Sequence, residues 1–171
     1  MDRSGLEALL ADVRRVRIGI VGDFCLDAYW DLDPSLSEPS IETGLPTRAV
    51  RAQRYAPGGA GNVAANLVSL GAGTVRAFGV VGDDPFGREM LRILAAGSID
   101  AAGMQIQAAG WSTAVYVKPV ESGVEQNRID FGNANALDPA VGGRLLASLR
   151  AALPSLDLVV VNQELAHGIH T

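Results

Sequence analysis

The sequence predicts an α/β fold: a mostly parallel sheet flanked by helices, with a small β lid inserted in two segments. Two observations predict it. Short apolar runs rich in branched residues alternate with helix-length amphipathic stretches, the pattern of parallel strands covered on both faces. Two further regions, about 28–56 and 111–131, are polar, alternating and proline-interrupted, and do not read as part of that core.

The elements follow in order. Residues 4–12 predict a short helix with Leu6, Leu9 and Leu10 on one face. Residues 16–21 (VRIGIV) predict a buried strand ending in Gly22-Asp23. Across 24–57, Pro34, Pro39, Pro46 and several serines predict short, broken extended pieces, with one better strand over 48–55. Residues 58–70 predict a helix behind a glycine-rich entry, with Val63, Leu67 and Leu70 as its stripe and Gly71 as its stop. Residues 75–81 predict a second buried strand, again ending in Gly-Asp. Asp84-Pro85 and Asp138-Pro139 each place an N-cap before a first-turn proline, predicting helices to about Ala95 and Ala152. Residues 113–117 and 127–131 predict a hairpin around Glu121-Ser122-Gly123, and 156–161 a last buried strand.

Composition narrows the function. The 171 residues suit one domain, and 48% apolar with 19% charged residues excludes a disordered or collagen-like chain. With 14 Lys and Arg against 19 Asp and Glu, the net charge of −5 argues against non-specific nucleic-acid binding. The one cysteine, Cys25, forms no intrachain disulfide and fits a reducing, cytoplasmic compartment. No stretch predicts a signal peptide or a membrane span, so no membrane partner is expected.

Three features carry possible chemistry. Asp27 lies just past the carboxyl end of the first strand, where open α/β sheets bind ligands. It either accepts hydrogen bonds from vicinal sugar hydroxyls or caps a turn. Pro57-Gly58-Gly59-Ala60-Gly61-Asn62 enters a helix, so backbone and N–H groups can approach a ligand, and Asn62 both donates and accepts. The same glycines equally suit a plain tight turn. No Gly-Lys-Ser/Thr follows, so this is not a P-loop. Lys118 and Arg128 in the second polar segment either meet a phosphate over a cleft or decorate a solvated hairpin. His167 and His170 lack partners at metal-ligand spacing, so no metal site is expected, and Cys25 has no visible base.

Several of these motifs stand in a familiar order. Ile20-Val21-Gly22-Asp23, Leu26-Asp27, Pro57 to Ala64, Leu70-Gly71 and Gly79 to Asp84 with Phe86-Gly87 resemble the amino-terminal half of the ribokinase-like (PfkB) carbohydrate kinases. Asp27 to Trp30, Lys118 and Gln126 to Phe131 look most like the subgroup formed by the heptose-phosphate kinase domains of bifunctional heptose kinase/adenylyltransferases. The stretch Ser37 to Thr47 departs from that subgroup, and Asn162-Gln163-Glu164 is not the family's Asn-x-x-Glu motif.

The resemblance implies ATP-dependent, Mg²⁺-assisted phosphorylation of a hydroxyl on a sugar or sugar phosphate. It implies that Asp27, Gly58, Gly59 and Asn62 hold the sugar, with Lys118 and Arg128 reaching in from the lid. It also implies a possible homodimer through open lid edges. The family's catalytic base lies in a Gly-Ala-Gly-Asp motif that occurs nowhere in these residues, so no catalytic residue is assigned. Residues 1–171 therefore read as the amino-terminal part of such a domain, inactive alone and not expected to bind ATP or Mg²⁺ tightly. A non-catalytic carbohydrate-binding or scaffold module is one alternative, and a nucleoside kinase of the same fold is another.

Overall fold

The computed structural model describes residues 2–170. Its first strand, β1 (Arg17–Gly22), lies at the centre of a three-stranded parallel sheet. β4 (Thr74–Phe78) flanks it on one side and β10 (Leu158–Asn162) on the other. The two-residue period of β1 explains how both faces are covered. Ile18 and Ile20 pack to one side with Ala60 and Ala64 of helix α2 (Ala60–Ser69). Val21 points the other way, to Val141 and Leu145 of the helix spanning Pro139–Ala152. β4 follows the same rule, with Val75 and Ala77 on the α2 side and Phe78 opposite. Ile20 is fully buried, and each aliphatic side chain so buried contributes roughly 1.5–3 kcal/mol.

A single residue, Asp23, separates β1 from β2 (Phe24–Leu32), so a second sheet grows directly from the first. β3 (Val50–Gly59) pairs antiparallel to β2, from Phe24 opposite Gly59 onward. β7 (Val115–Glu121) pairs parallel to β2, from Leu26 opposite Val115 to Leu32 opposite Glu121. β8 (Val124–Glu125) and β9 (Ile129–Phe131) both return antiparallel onto β7. Leu26, Ala28, Val115 and Val117 bury one face of this mixed sheet in the same core as Ile20.

Where the sequence predicts broken pieces across 24–57, the chain forms two long strands. The prolines responsible, Pro34, Pro39 and Pro46, are confined to the connection between β2 and β3, which includes a 3-10 turn at Pro34–Leu36. The expected strand over 75–81 is also divided. β4 ends at Phe78, and β5 (Val80–Gly82) pairs instead with β6 (Gln105–Gln107), a strand the sequence does not announce. The Gly79 carbonyl accepts from the Gln105 N–H at 2.8 Å and starts that new pairing.

The helix starts agree closely with expectation. α3 (Pro85–Ala96) begins at Asp84, whose carboxylate accepts the Gly87 N–H at 2.7 Å. Asp138 caps α4 (Pro139–Ala152) through the Ala140 N–H at 2.7 Å. The helix after the glycines starts at Ala60, because Gly58 and Gly59 complete β3. α1 (Arg3–Val13) forms as predicted but buries none of its residues. Leu6, Leu9 and Leu10 remain exposed because no other element packs extensively against this helix. Among the described residues no helix is long and apolar enough to cross a membrane.

Candidate functional site

The mixed sheet has one buried face and one polar face, and the polar face collects the predicted residues. Leu26 and Ala28 go into the core, so Asp27 and Tyr29 must point out of it. The parallel register sets Asp27 beside Tyr116 and Tyr29 beside Lys118, which places all four on one face. β9 adds Asp130 opposite Tyr116.

Lys118 and Asp27 meet directly. Lys118 Nζ donates to Asp27 Oδ1 at 2.6 Å, with both side chains about three-quarters shielded from solvent. It also lies 3.4 Å from the Tyr29 hydroxyl and 5.0 Å above that ring. The hydrogen bond to Asp27 holds the Lys118 ammonium pKa above its ordinary value, against the opposing effect of burial. Arg128 reaches the same face differently. It makes two bonds to Asp130, at 2.6 and 2.8 Å, and stacks 4.3 Å over the Tyr116 ring. Both predicted cations are therefore already paired with aspartates.

The two glycines close the floor of the site. A Cβ on Gly58 would stand 2.9 Å from Cys25 Sγ and 3.4 Å from Asp27 Oδ2. Gly59 has φ of +51°, and a Cβ there would press the Asp23 carbonyl and lie 2.6 Å from Glu164 Oε2. Both the backbone conformation and the close approach require glycine. No side chain caps α2 here, and its Ala60 N–H donates to the Asp23 carbonyl at 3.0 Å. Asn62 is exposed on the first turn, and its side-chain oxygen faces the Asn66 amide at 3.5 Å.

Cys25 lies beneath the glycines at 1% exposure. Burial first, then the nearby carboxylates of Glu164, Asp27 and Asp23, push its thiol up to about 12. It is a neutral packing group at ordinary pH.

Glu164 is the residue that sequence reasoning missed. It follows β10, which neighbours β1, so it emerges at the same sheet end as Gly22-Asp23. A carboxylate just past a strand's carboxyl end was the available signal. A cavity of about 220 Å³ opens beside Glu164 and Tyr116, walled by Gly132, Asn133 and His167. The carboxylates of Asp27 and Glu164 thus bracket the diglycine, with the Lys118 ammonium on one flank. Such a set offers acceptors and a donor to clustered hydroxyls. Among the described residues no group of three or more His, Cys, Asp or Glu side chains fits a metal ion.

Comparison with known proteins gives the family and the fold. The sequence profile described as pfkB family carbohydrate kinase matches residues 26–166. The chain is 32% identical over 158 residues to the bifunctional protein HldE of Edwardsiella ictaluri, covering 92% of this chain and 31% of that protein. It is 34% identical over 155 residues to the HldE of Methylococcus capsulatus, covering 90% and 31%. The chain thus spans about a third of the length of the curated relatives it matches. Among solved structures, a carbohydrate kinase from Agrobacterium tumefaciens superposes with a TM-score of 0.58 at 17% identity, covering 85% of this chain and 45% of that one. Ribokinase from Cryptococcus neoformans in complex with ADP gives 0.51 at 22%, covering 88% and 50%. These two share the fold.

Proposed function

The chain belongs to the pfkB family of carbohydrate kinases, and from that premise we propose that it supplies the acceptor half of an ATP-dependent kinase acting on a sugar or sugar phosphate hydroxyl. The observation that carries this reading is the Asp27–Lys118 pair standing beside the Gly58-Gly59 floor on the polar face of the mixed sheet. In this reading Asp27 accepts hydrogen bonds from neighbouring hydroxyls, and Lys118 orients its carboxylate and donates to an acceptor oxygen. Gly58 and Gly59 let the sugar approach the backbone, Asn62 supplies an amide at the helix start, and Arg128 closes the site from its seat on Tyr116. The segments about 28–56 and 111–131 act as the lid. The unpaired outer edge of β3 is the surface through which two lids would associate.

ATP with Mg²⁺, when bound, supplies the phosphoryl group. The Gly-Ala-Gly-Asp base that the family resemblance calls for does not occur in residues 1–171, so no step is derived through either ligand. The work left to these residues is positioning, which is a large share of phosphoryl-transfer catalysis. Among the described residues β10 pairs with β1 alone and exposes Leu158 and Val161, so its outer edge can take a further strand.

The test is an ADP-release assay with ATP, Mg²⁺ and a panel of sugars, sugar phosphates and nucleosides. The 171-residue chain is expected to show no acceptor-dependent turnover, whereas a longer protein containing it turns over a sugar or sugar phosphate. Turnover by the short chain after removal of contaminating kinases overturns the expected inactivity. Preference for a nucleoside, or tight sugar binding without turnover in the longer protein, overturns the kinase assignment to sugars.

A further inference from the structure

Asp23 is a buried carboxylate, 2% exposed, to which the proposed function gives no task. Its surroundings are unusual. Among the described residues no lysine or arginine bridges to it. Its charge is met instead by three backbone donors from one segment: Glu164 N–H at 3.0 Å and Leu165 N–H at 2.9 Å on Oδ2, and Ile169 N–H at 2.9 Å on Oδ1. Backbone N–H groups curled around an anion replace the water it has lost. Gly168 fits against the same carboxylate so closely that a Cβ there would overlap it.

The main chain of Asp23 makes two more ties. Its N–H donates to the Asn162 carbonyl at 3.2 Å, at the end of β10. Its carbonyl accepts the Ala60 N–H at 3.0 Å, at the start of α2. One residue therefore links β1, β10, the diglycine and the segment 164–169. Glu164 itself has an exposed side chain, and among the described residues no side-chain hydrogen bond sets where its carboxylate stands. Its place beside Gly59 follows from where its backbone is held.

We propose that Asp23 is a positioning residue: it pins the segment 164–169 through three backbone hydrogen bonds and thereby sets Glu164 against Gly59 at the acceptor site. The inference rests on the reading of that site as a sugar site. Nothing in it requires Asp23 to touch the acceptor.

Asp23→Asn keeps the shape but turns an amino group toward at least one backbone donor, leaving a buried N–H unpaired. In the full chain, hydrogen exchange at the amides of residues 164, 165 and 169 should accelerate, while amides of β1 and β4 stay protected. Gly168→Ala displaces the carboxylate from the opposite side and should reproduce that pattern, which covers the case in which Asp23→Asn fails to fold. The binding probes are D-ribose, D-fructose, D-mannose and D-mannose 6-phosphate, measured by calorimetry. For the probe that binds best, Asp23→Asn should weaken binding about tenfold, roughly the worth of one charged hydrogen bond. The double variant Asp23→Asn/Glu164→Gln should bind no more weakly than the weaker single variant. That non-additivity separates a residue acting through Glu164 from a merely structural one.

Unchanged exchange at 164, 165 and 169 in both variants overturns the inference, as do fully additive losses in the double variant. If Asp27→Ala leaves sugar binding intact, or if no probe binds the wild-type chain, the site reading fails instead. The exchange experiment then still decides whether Asp23 pins the segment.

Discussion

The parallel sheet and the mixed sheet use the same strand geometry for opposite ends. In β1 both faces are covered, so its sequence, Arg17–Gly22, is almost uniformly small or apolar. In β2 and β7 one face is covered and the other is free. Leu26, Ala28, Val115 and Val117 therefore alternate with Asp27, Tyr29, Tyr116 and Lys118. The first sheet is a frame, and the second is half frame and half candidate binding surface. Chemistry collects where a strand leaves the shared core, because only there can a carboxylate be fixed in space without being buried on all sides.

That contrast can be broken most forcefully at neighbouring positions on β2. Leu26→Ala should cost about 2–5 kcal/mol in urea unfolding, as in the core of the parallel sheet, since Leu26 is fully buried. Tyr29→Ala, on the polar face, should cost about 1 kcal/mol or less. Equal losses would show that the polar face is structural. Asp27→Ala should make the reverse trade. It should reduce sugar affinity by about 100-fold, the upper worth of one charged hydrogen bond, with a smaller loss in unfolding than Leu26→Ala. Unchanged affinity in titration calorimetry would remove Asp27 from the site.

Gly59→Ala sharpens the comparison at the junction of the two sheets. A positive φ costs an alanine about 1–3 kcal/mol, and its Cβ also meets Glu164 and the Asp23 carbonyl. Both the urea midpoint and sugar affinity should fall, whereas a variant with native affinity would show that the close approach is incidental.

The smallest effect belongs to the frame's outer edge. Arg17 makes hydrogen bonds to both oxygens of Asp157, at 2.8 and 3.1 Å from its side chain, and holds that carboxyl at about 2 against an ordinary 3.8. The folded pKa is the lower one. The pair's contribution is therefore complete above 3.8 and disappears as pH falls toward about 2. Asp157→Asn should flatten the acid limb of the stability profile by lowering stability slightly at neutral pH, where the pair contributes, while stability below about pH 2 stays unchanged; the loss is small because the pair is half exposed. An unaltered acid limb would show that the pair is too well solvated to matter.

Local chemistry was readable in advance wherever it is local. Asp84-Pro85 and Asp138-Pro139 announce helix starts because a cap and its first turn lie within four residues. The run VRIGIV announces a buried strand, and Gly58-Gly59 announces a close approach, for similar reasons. Asp27, Lys118 and Arg128 could be singled out as residue types, and the order of the motifs pointed to a family that the profile match over residues 26–166 shows.

Only tertiary structure decided who meets whom. The bond between Lys118 and Asp27 spans 91 positions, and it depends on the parallel register of β7 on β2, which no local pattern encodes. The break at Gly79 depends on β6 arriving to pair with β5, and the exposure of α1 on nothing arriving to cover Leu6, Leu9 and Leu10. Glu164 stands beside Gly59 with β10 lying beside β1, and its N–H reaches the Asp23 carboxylate across 141 positions. Propensity and capping act within a few residues, so the sequence alone determined the elements and their polar and apolar faces. Register and long-range hydrogen bonds are settled only when the whole chain packs, so the site itself was determined there.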